Sequence, residues 1–131
     1  MPNERHPDLE IYIKNTTIQQ ILNWLELHCQ TVNTQFKSDN HIELQLQFGN
    51  KLIEASLQQK VSGKAWSSLW LKTNATLWDT DLDCALVAAA QMQTQIRCIE
   101  ASWSDDQSKD LEGDHWWKIE DGQQELISWK G

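Results

Sequence analysis

The chain has 131 residues and a mass of 15.2 kDa, which is the size of one folded domain. Its 11 basic and 19 acidic residues give a formal net charge of −8. That charge argues against binding to a nucleic-acid backbone or an anionic membrane surface, because both attract basic patches. A hydrophobic content of 40% with only 5 Gly and 2 Pro excludes a disordered chain.

The start of the chain predicts a strand followed by a helix. Residues 1–8 are expected to form a frayed lead-in to a single domain at 9–131. The alternating segment LEIYIK, residues 9–14, predicts its first strand. Asn-Thr-Thr then supplies the capping chemistry for a helix over about residues 17–32. Its inner face is expected to hold Ile18, Ile21, Leu22, Leu25, Cys29 and Val32, widened by Trp24 and Leu27. The polar segment 35–41 is expected to be a loop.

Residues 42–48 carry the clearest pattern in the chain. IELQLQF alternates without a fault, which predicts a strand with one buried and one solvated face. Gly49-Asn50 is typical of a two-residue hairpin turn, in which Gly supplies the positive φ. This turn pairs three apolar couples on one face, namely Leu46 with Ile53, Leu44 with Ala55 and Ile42 with Leu57. The opposite face is expected to carry Glu43, Gln45, Gln47 and Glu54.

The second half predicts a strand, a helix and three further strands. Residues 65–73 predict the strand, and Asp79-Thr80-Asp81 begins a helix that ends near residue 93, because acids and hydroxyls are favoured at helix amino termini. The inward-facing residues of this helix are expected to be Leu82, Ala85, Leu86, Ala89 and Met92. The remaining elements are a strand at 96–103, a polar loop at 104–114, and strands at 115–120 and 123–130 that pair around Asp121-Gly122.

The resulting order, β-α-β-β-β-α-β-β-β, predicts a single α+β domain. Its sheet is largely antiparallel or mixed, and both helices lie on one face. Two short segments, Ile11 to Asn15 and Leu69 to Thr73, share an apolar, aromatic, apolar, Lys, small-polar pattern, and each precedes a helix. This echo suggests two pseudo-repeated βαββ(β) units, although a coincidence explains so short a pattern equally well.

The element order resembles the paired βαβββ modules of the vicinal oxygen chelate superfamily, which includes glyoxalases and bleomycin-resistance proteins. Enzymes of that superfamily hold a metal with His, Glu or Gln side chains that point into a curved sheet. The resemblance would draw such ligands from strand residues here, among them Glu10, Gln47, Glu100 and Glu120. Alternation, however, places Gln47 on the solvated face, and the sequence offers no convincing ligand set.

Four short motifs are also similar to those of a small family of uncharacterised bacterial Trp-rich α+β proteins. They are W-x-x-L-W at residues 66–70, W-D-x-D-L-x-C-A at 78–85, R-C at 97–98 and D-x-W-W-K-I at 114–119. This resemblance implies a fold and carries no information about chemistry.

The sequence contains no motif of catalysis, metal binding or cofactor binding. Asp79 to Asp83 resembles the opening of a calcium loop, but Cys84 and Ala90 stand where an EF-hand needs Gly and an acid. The four histidines are scattered, and no G-x-S-x-G, P-loop or G-x-G-x-x-G is present. We therefore predict no catalytic residue, no metal and no cofactor.

The cysteines and the amino terminus predict a cytoplasmic protein. Cys29, Cys84 and Cys98 lack paired spacing, so we expect them to be reduced. Cys84 and Cys98 are expected to pack as small hydrophobes. The first residues have neither the basic start nor the apolar core of a signal peptide. No apolar run approaches the length of a membrane span.

The tryptophans are the feature that composition does not explain, since the chain has 8 Trp against 1 Tyr and 2 Phe. Trp66 and Trp70 share one strand face, and Trp70 is expected to be at least partly exposed. The candidate binding residues are Trp66, Trp70, Trp116 and Trp117. Rings held on strands form rigid plates that bind a partner, whereas the alternative interpretation is that they fill the core.

Two functions from different classes follow from these features. The favoured one is a non-enzymatic binding domain that holds a protein partner or a small ligand through an aromatic sheet surface, with acids that attract a basic partner. The alternative is a metal-dependent enzyme or a small-molecule-sequestering protein of the vicinal-oxygen-chelate type. The sequence leaves open a homodimer formed through a sheet edge or face.

Overall fold

The computed structural model of the chain describes residues 8–60, 65–73, 76, 78, 80–99 and 115–128. In chain order the elements are β1 (Leu9–Lys14), α1 (Ile18–His28), β2 (Thr31–Lys37), β3 (His41–Phe48), β4 (Lys51–Gln59), β5 (Trp66–Leu71), α2 (Asp81–Met92), β6 (Ile96–Ile99), β7 (His115–Glu120) and β8 (Gln123–Ser128). The predicted lead-in up to residue 7, the predicted loop at 104–114 and the ends of the predicted strands at 100–103 and 129–130 lie outside the described residues.

All eight strands form one antiparallel sheet in the order β2-β3-β4-β5-β1-β6-β7-β8. The predicted α+β class with two helices is confirmed. The first strand of the chain lies in the interior of the sheet, between β5 and β6. Consequently β5 and β1 together lie between β2, β3 and β4 of the first half and β6, β7 and β8 of the second half.

The predicted hairpin at Gly49 is confirmed in its turn and its register. Gly49 has a φ of 64°, and the three predicted couples are the cross-strand partners of β3 and β4. Leu44 is 1% exposed, whereas Gln45 on the opposite face is only half-buried. The alternation of this hairpin therefore separates a core-facing surface of the sheet from a polar one.

The hydrophobic core lies between one face of the sheet and the two helices. Its strand residues are every second residue of the central strands, including Leu9, Ile11 and Ile13 of β1. Its helix residues are Ile21, Trp24, Leu25, Cys84, Ala85, Ala88 and Ala89. Cys84 and Cys98 are 1% and 0% exposed, so the prediction that they pack as small hydrophobes is confirmed.

The predicted end of the first helix is wrong. The helix ends at His28, and residues 31–37, expected to be helix and loop, form the edge strand β2. Val32 recurs at helical spacing with the apolar residues of α1, which extended the apparent pattern. The strand itself gave no alternation, because six of its seven residues are exposed. Leu27, which was expected to widen the inner face of α1, is also 69% exposed.

The second helix packs through smaller residues than the sequence predicted. Its buried residues are Asp81, Cys84, Ala85, Ala88 and Ala89, whereas Leu86, expected to face inward, is 39% exposed. Small side chains let the helix axis approach the sheet closely, so the Cys and Ala stripe faces the core while Leu86 turns outward. The predicted inward positions of Ala85 and Ala89 are confirmed.

The predicted repeat is seen in the order of elements along the chain, but not in the order of the strands within the sheet. With β2 included, the chain reads βαβββ twice. A twofold relation between the halves would place β4 and β8, the last strands of each half, at equivalent positions in the sheet. Instead β4 lies inside next to β5, and β8 lies at the far edge. The two halves therefore enter the sheet in different ways.

We predict that Thr80→Ala will lower the stability of the fold by about 1 kcal/mol. Thr80 is the N-cap of α2, and its Oγ1 accepts a hydrogen bond from the Asp83 backbone N–H at 3.1 Å. Thermal or denaturant melts compared with Thr73→Ala, an exposed threonine outside the helix, measure the loss. A Thr80→Ala variant as stable as the control would contradict the role of Thr80 as the N-cap of α2.

Candidate functional site

The face of the sheet opposite the two helices, here called the polar face, carries the charged and aromatic residues of the central strands. Its members include Glu10, Tyr12, Glu43, Ser56, Trp66, Trp70, Lys72, Arg97 and Trp116. Glu43, Gln45 and Gln47 lie on this face as predicted and are half-buried, and Glu54 is exposed there.

The structure brings three of the four predicted tryptophans to the polar face. Trp70 is 39% exposed, so the prediction that it is at least partly exposed is confirmed. Trp66 and Trp116 lie on the same face but are each 8% exposed. Trp117 points to the opposite face, where it pairs with Cys98 and packs against the core. It therefore cannot line the same surface as Trp70.

Trp66 and Trp116 are held by contacts with neighbouring strands. The guanidinium of Arg97 lies 4.7 Å from the centroid of the Trp66 ring, within cation–π range. Tyr12 meets Trp116 edge to face, with ring centroids 5.3 Å apart and an angle of 88° between the planes. Burial lowers the pKa of Arg97, an effect that Glu120 opposes. These contacts hold the two buried rings against side chains of other strands.

Trp70 lies near the centre of the sheet, beside acidic groups. Its Nε1–H donates a hydrogen bond of 2.7 Å to Oδ2 of Asp8. Its cross-strand partners are Glu10 on β1 and Ser56 on β4. The Nζ of Lys72 lies 5.3 Å from the centroid of its ring. The indole is thus fixed by its polar edge, while more than a third of the side chain remains accessible.

Next to Trp70, Glu43 collects hydrogen bonds from three side chains. Its Oε1 accepts from Nζ of Lys72 at 2.9 Å, and its Oε2 accepts from Oγ of Ser56 at 2.9 Å and contacts Nε2 of His41 at 2.5 Å. Burial raises the pKa of Glu43, but these hydrogen bonds outweigh it, and the pKa lies below its ordinary value. The carboxylate is therefore held in its ionised form.

The side chains of His41, Ser56 and Glu43 do not form a nucleophilic triad. A triad needs the base to use one ring nitrogen for the nucleophile and the other for the acid. Here Nε2 of His41 makes both contacts, with Ser56 at 3.1 Å and with Glu43 at 2.5 Å. The hydroxyl of Ser56 also donates a hydrogen bond directly to Glu43. This geometry anchors side chains to one another and does not activate the hydroxyl.

Phe36 is a member of the polar face that the sequence did not reveal. The pairing of β2 with β3 shifts between Thr34 and Phe36, so Phe36 pairs with Glu43 instead of continuing the parity of Thr34. Its ring lies 5.9 Å from that of His41, and its side chain is 54% exposed. A bulge of this kind redirects a side chain to the other face of a sheet. Residues 31–36, TVNTQF, include Thr, Val and Phe, which favour strands, and this was the sequence signal for β2.

The residues considered for a metal site do not converge. Glu10 and Gln47 lie on the polar face on different strands, Glu120 is exposed at the end of β7, and Glu100 is outside the described residues. Within the described ranges, no group of three or more His, Cys, Asp or Glu side chains is placed to hold a metal ion. In the same part of the chain, neither helix is long and apolar enough to cross a membrane.

Comparisons of the chain with protein-family models, with curated proteins and with solved structures found no match.

We predict that Glu43→Gln will reduce stability at neutral pH by up to about 1 kcal/mol, the range of a partly exposed ion pair. Since folding lowers the pKa of Glu43, its stabilising effect is present above the ordinary value of 4.5 and is lost as the pH falls through the folded-state pKa. Melts of both proteins across the acid range should therefore converge below that value. A difference that stays constant with pH would contradict the role assigned to the carboxylate.

We predict the opposite effect for Glu10→Gln. Burial, followed by the charges of Asp81 and Asp8, raises the pKa of Glu10. Ionised Glu10 therefore opposes folding as the pH rises above its ordinary value of 4.5. The variant should melt at a higher temperature than the wild type at neutral pH, and the gain should vanish at acid pH. Glu54→Gln, an exposed glutamate on the same face, is the control and should show neither change.

Proposed function

We propose that the chain is a non-enzymatic, cytoplasmic binding domain. Its polar face holds a protein partner or a small ligand that carries a positive charge, and Trp70 is the anchor. The observation that carries the proposal is the 39% exposure of Trp70 on β5, an interior strand of the sheet. A large ring on a central strand is more often covered than exposed, and exposed Trp is enriched among residues that dominate binding energies.

Preorganisation supports the same role for Trp70. The hydrogen bond to Asp8 and the neighbouring Lys72 restrict the ring before any partner arrives. A side chain that is already ordered loses little conformational entropy on binding. Trp66 and Trp116 lie buried on the same face, each in contact with a side chain of another strand. Trp117 takes no part in this proposal, because it packs on the opposite face.

The charge of the surroundings favours a cationic partner. Asp8 and Glu10 flank Trp70, and the whole chain carries a formal charge of −8. The positive charge of Lys72 is offset by its ion pair with Glu43. Acids beside an exposed indole attract an ammonium or guanidinium group and hold it against the ring, a contact that contributes about 0.5–2 kcal/mol. Nucleic acid is disfavoured by the same charge.

Phe36 gives the proposed surface a second aromatic end. Phe36, Glu43, Ser56 and Trp70 follow one another across four neighbouring strands. At a strand spacing of about 4.8 Å, the two aromatic residues lie roughly 14 Å apart with the Glu43 cluster between them. A partner that crosses the strands would meet two rings and the charged groups that separate them.

The proposal predicts that tetra-arginine amide will bind the wild-type protein and shift the NMR signal of the Trp70 indole N–H. Trp70→Ala should weaken this binding about tenfold, a loss of roughly 1.4 kcal/mol. Asp8→Asn should also weaken it, and added salt should reduce the difference, since screening weakens exposed charges. Leu86→Ala is the matched control, because Leu86 has the same 39% exposure on the helical side of the sheet.

Equal affinity of Trp70→Ala and the wild type, or equally tight binding of tetra-glutamine amide, would contradict the proposal. Analytical ultracentrifugation of the same samples tests whether the partner is a second copy of the chain. A dimer that dissociates in Trp70→Ala and persists in Leu86→Ala would assign the polar face to self-association instead of to a cationic ligand.

A further inference from the structure

A cleft of about 610 Å³ lies between the start of α1 and the end of α2. Its size falls within the range of about 300–1,000 Å³ that is typical of small-molecule sites. Trp24, a core residue, lies at its base, and the β1–α1 connection forms one wall. Because this cleft is on the helical side of the sheet, it is separate from the polar face and from the function proposed for Trp70.

The lining of the cleft is polar and uncharged. Among the described residues that line the cleft, none is Asp, Glu, Lys, Arg or His, although 23% of the chain is charged. Side-chain amides are its most frequent groups, contributed by Asn15, Gln20, Asn23, Gln91 and Gln93. A charged ligand would lose hydration here without gaining a counter-charge, which is costly. The lining therefore favours a neutral ligand with many hydrogen-bonding groups.

Gln91 is held in one orientation by aromatic residues beneath it. Its Oε1 accepts a hydrogen bond of 2.7 Å from Nε1–H of Trp24 and lies 2.6 Å from Nε2 of His28. Trp24 in turn stacks on Trp78, with centroids 5.5 Å apart and an angle of 11° between the rings. Since the protein itself occupies the oxygen of Gln91, the amide N–H groups are what this residue offers to a ligand.

The side-chain amide of Asn23 is used in the same way: the protein binds its oxygen and leaves its N–H groups for a ligand. Its Oδ1 accepts a hydrogen bond of 2.9 Å from Nε2 of Gln19, one turn earlier in α1. The amide N–H groups of Asn23 are thus directed away from that contact. Asn23 and Gln91, on different helices, both line the cleft. Together they supply oriented donors from two walls.

The end of α2 supplies the complementary acceptors. Gln93, with a φ of 57°, ends the helix, and its N–H donates to the carbonyl of Ala89 at 2.9 Å. The carbonyls that follow Ala89 in the last turn have no partner within the helix, as at any helix end. Leu27 and Met92 add apolar surface to the same cleft, and Leu27 is 69% exposed.

We propose that this cleft binds a neutral polyhydroxylated ligand of the mono- or disaccharide class. Hydroxyl groups both donate and accept hydrogen bonds, which matches amide donors on two walls and backbone carbonyls on one. The C–H face of a pyranose packs on apolar side chains, and Leu27 and Met92 provide them. The ligand is recognised through hydrogen bonds of fixed direction and not through charge.

The test titrates the full chain with maltose, D-glucose and N-acetyl-D-glucosamine, using D-glucosamine and D-glucuronate as charged analogues. At least one neutral sugar should shift the NMR signals of the Trp24 indole N–H and of the Asn23 and Gln91 side-chain amides. Gln91→Glu keeps the acceptor for Trp24 and His28 but removes the donors, so binding should weaken at least tenfold. Asn23→Ala, at an exposed position, should weaken it several-fold.

Gln123→Glu introduces the same charge at an exposed position on β8 and should bind like the wild type. The proposal is overturned if none of the neutral sugars shifts the signals of the cleft. It is also overturned if Gln91→Glu and Asn23→Ala both bind as tightly as the wild type, or if the charged analogues bind as tightly as the neutral sugars.

Discussion

The architecture depends on the period of two along β3 and β4, because the two helices that the structure describes both cover the same side of the sheet. Leu44, Leu46 and Ile53 are removed from water by the helical layer, so every residue between them is committed to the opposite face. Cross-strand partners on neighbouring strands point to the same face of the sheet, so the alternation of β3 and β4 extends to the strands beside them. The position of Trp70, between its partners Ser56 and Glu10, is therefore a consequence of where the leucines lie. The polar face is defined by the core.

Residues under strong burial constraints could be predicted from the sequence. The register of the β3–β4 hairpin required six apolar residues on one face and a turn that accepts positive φ, and one arrangement satisfies both. The C-terminal hairpin around Asp121-Gly122 followed from the same turn chemistry. The N-cap at Thr80 followed from local hydrogen bonding, which needs no knowledge of the rest of the fold.

Features that depend on distant contacts could not be predicted in this way. β2 pairs with β3 through its backbone while its side chains stay exposed, so its sequence carries no burial pattern. Phe36 reaches the polar face through a bulge, which moves a side chain without a sequence signature. Leu86 turns outward because the alanines of α2 are the better fit to the sheet, a choice made by packing between layers and not by hydrophobicity.

The two candidate sites use opposite physical means on opposite sides of one sheet. Around Trp70 the groups are charged, and a ligand would be attracted over a distance and sensitive to salt. In the cleft at Gln91 the described groups are neutral; Trp24 of the core sets the direction of the Gln91 amide, and Gln19 sets that of Asn23. Because the two surfaces lie on opposite sides of the sheet and share no described residue, each can be altered by mutation without the other.

The interior position of β1 has a consequence for how the chain acquires its structure. β1 precedes the other described strands in the chain, yet both of its partners, β5 and β6, come from the second half of the sequence. The hairpin of β3 and β4 forms from contacts close in sequence, whereas β1 cannot pair with β5 and β6 until those later strands have emerged from the ribosome. Contacts so distant along the chain slow folding and leave apolar strand edges unprotected meanwhile. The edges of β1 therefore stay unpaired in the nascent chain until β5 and β6 have been made.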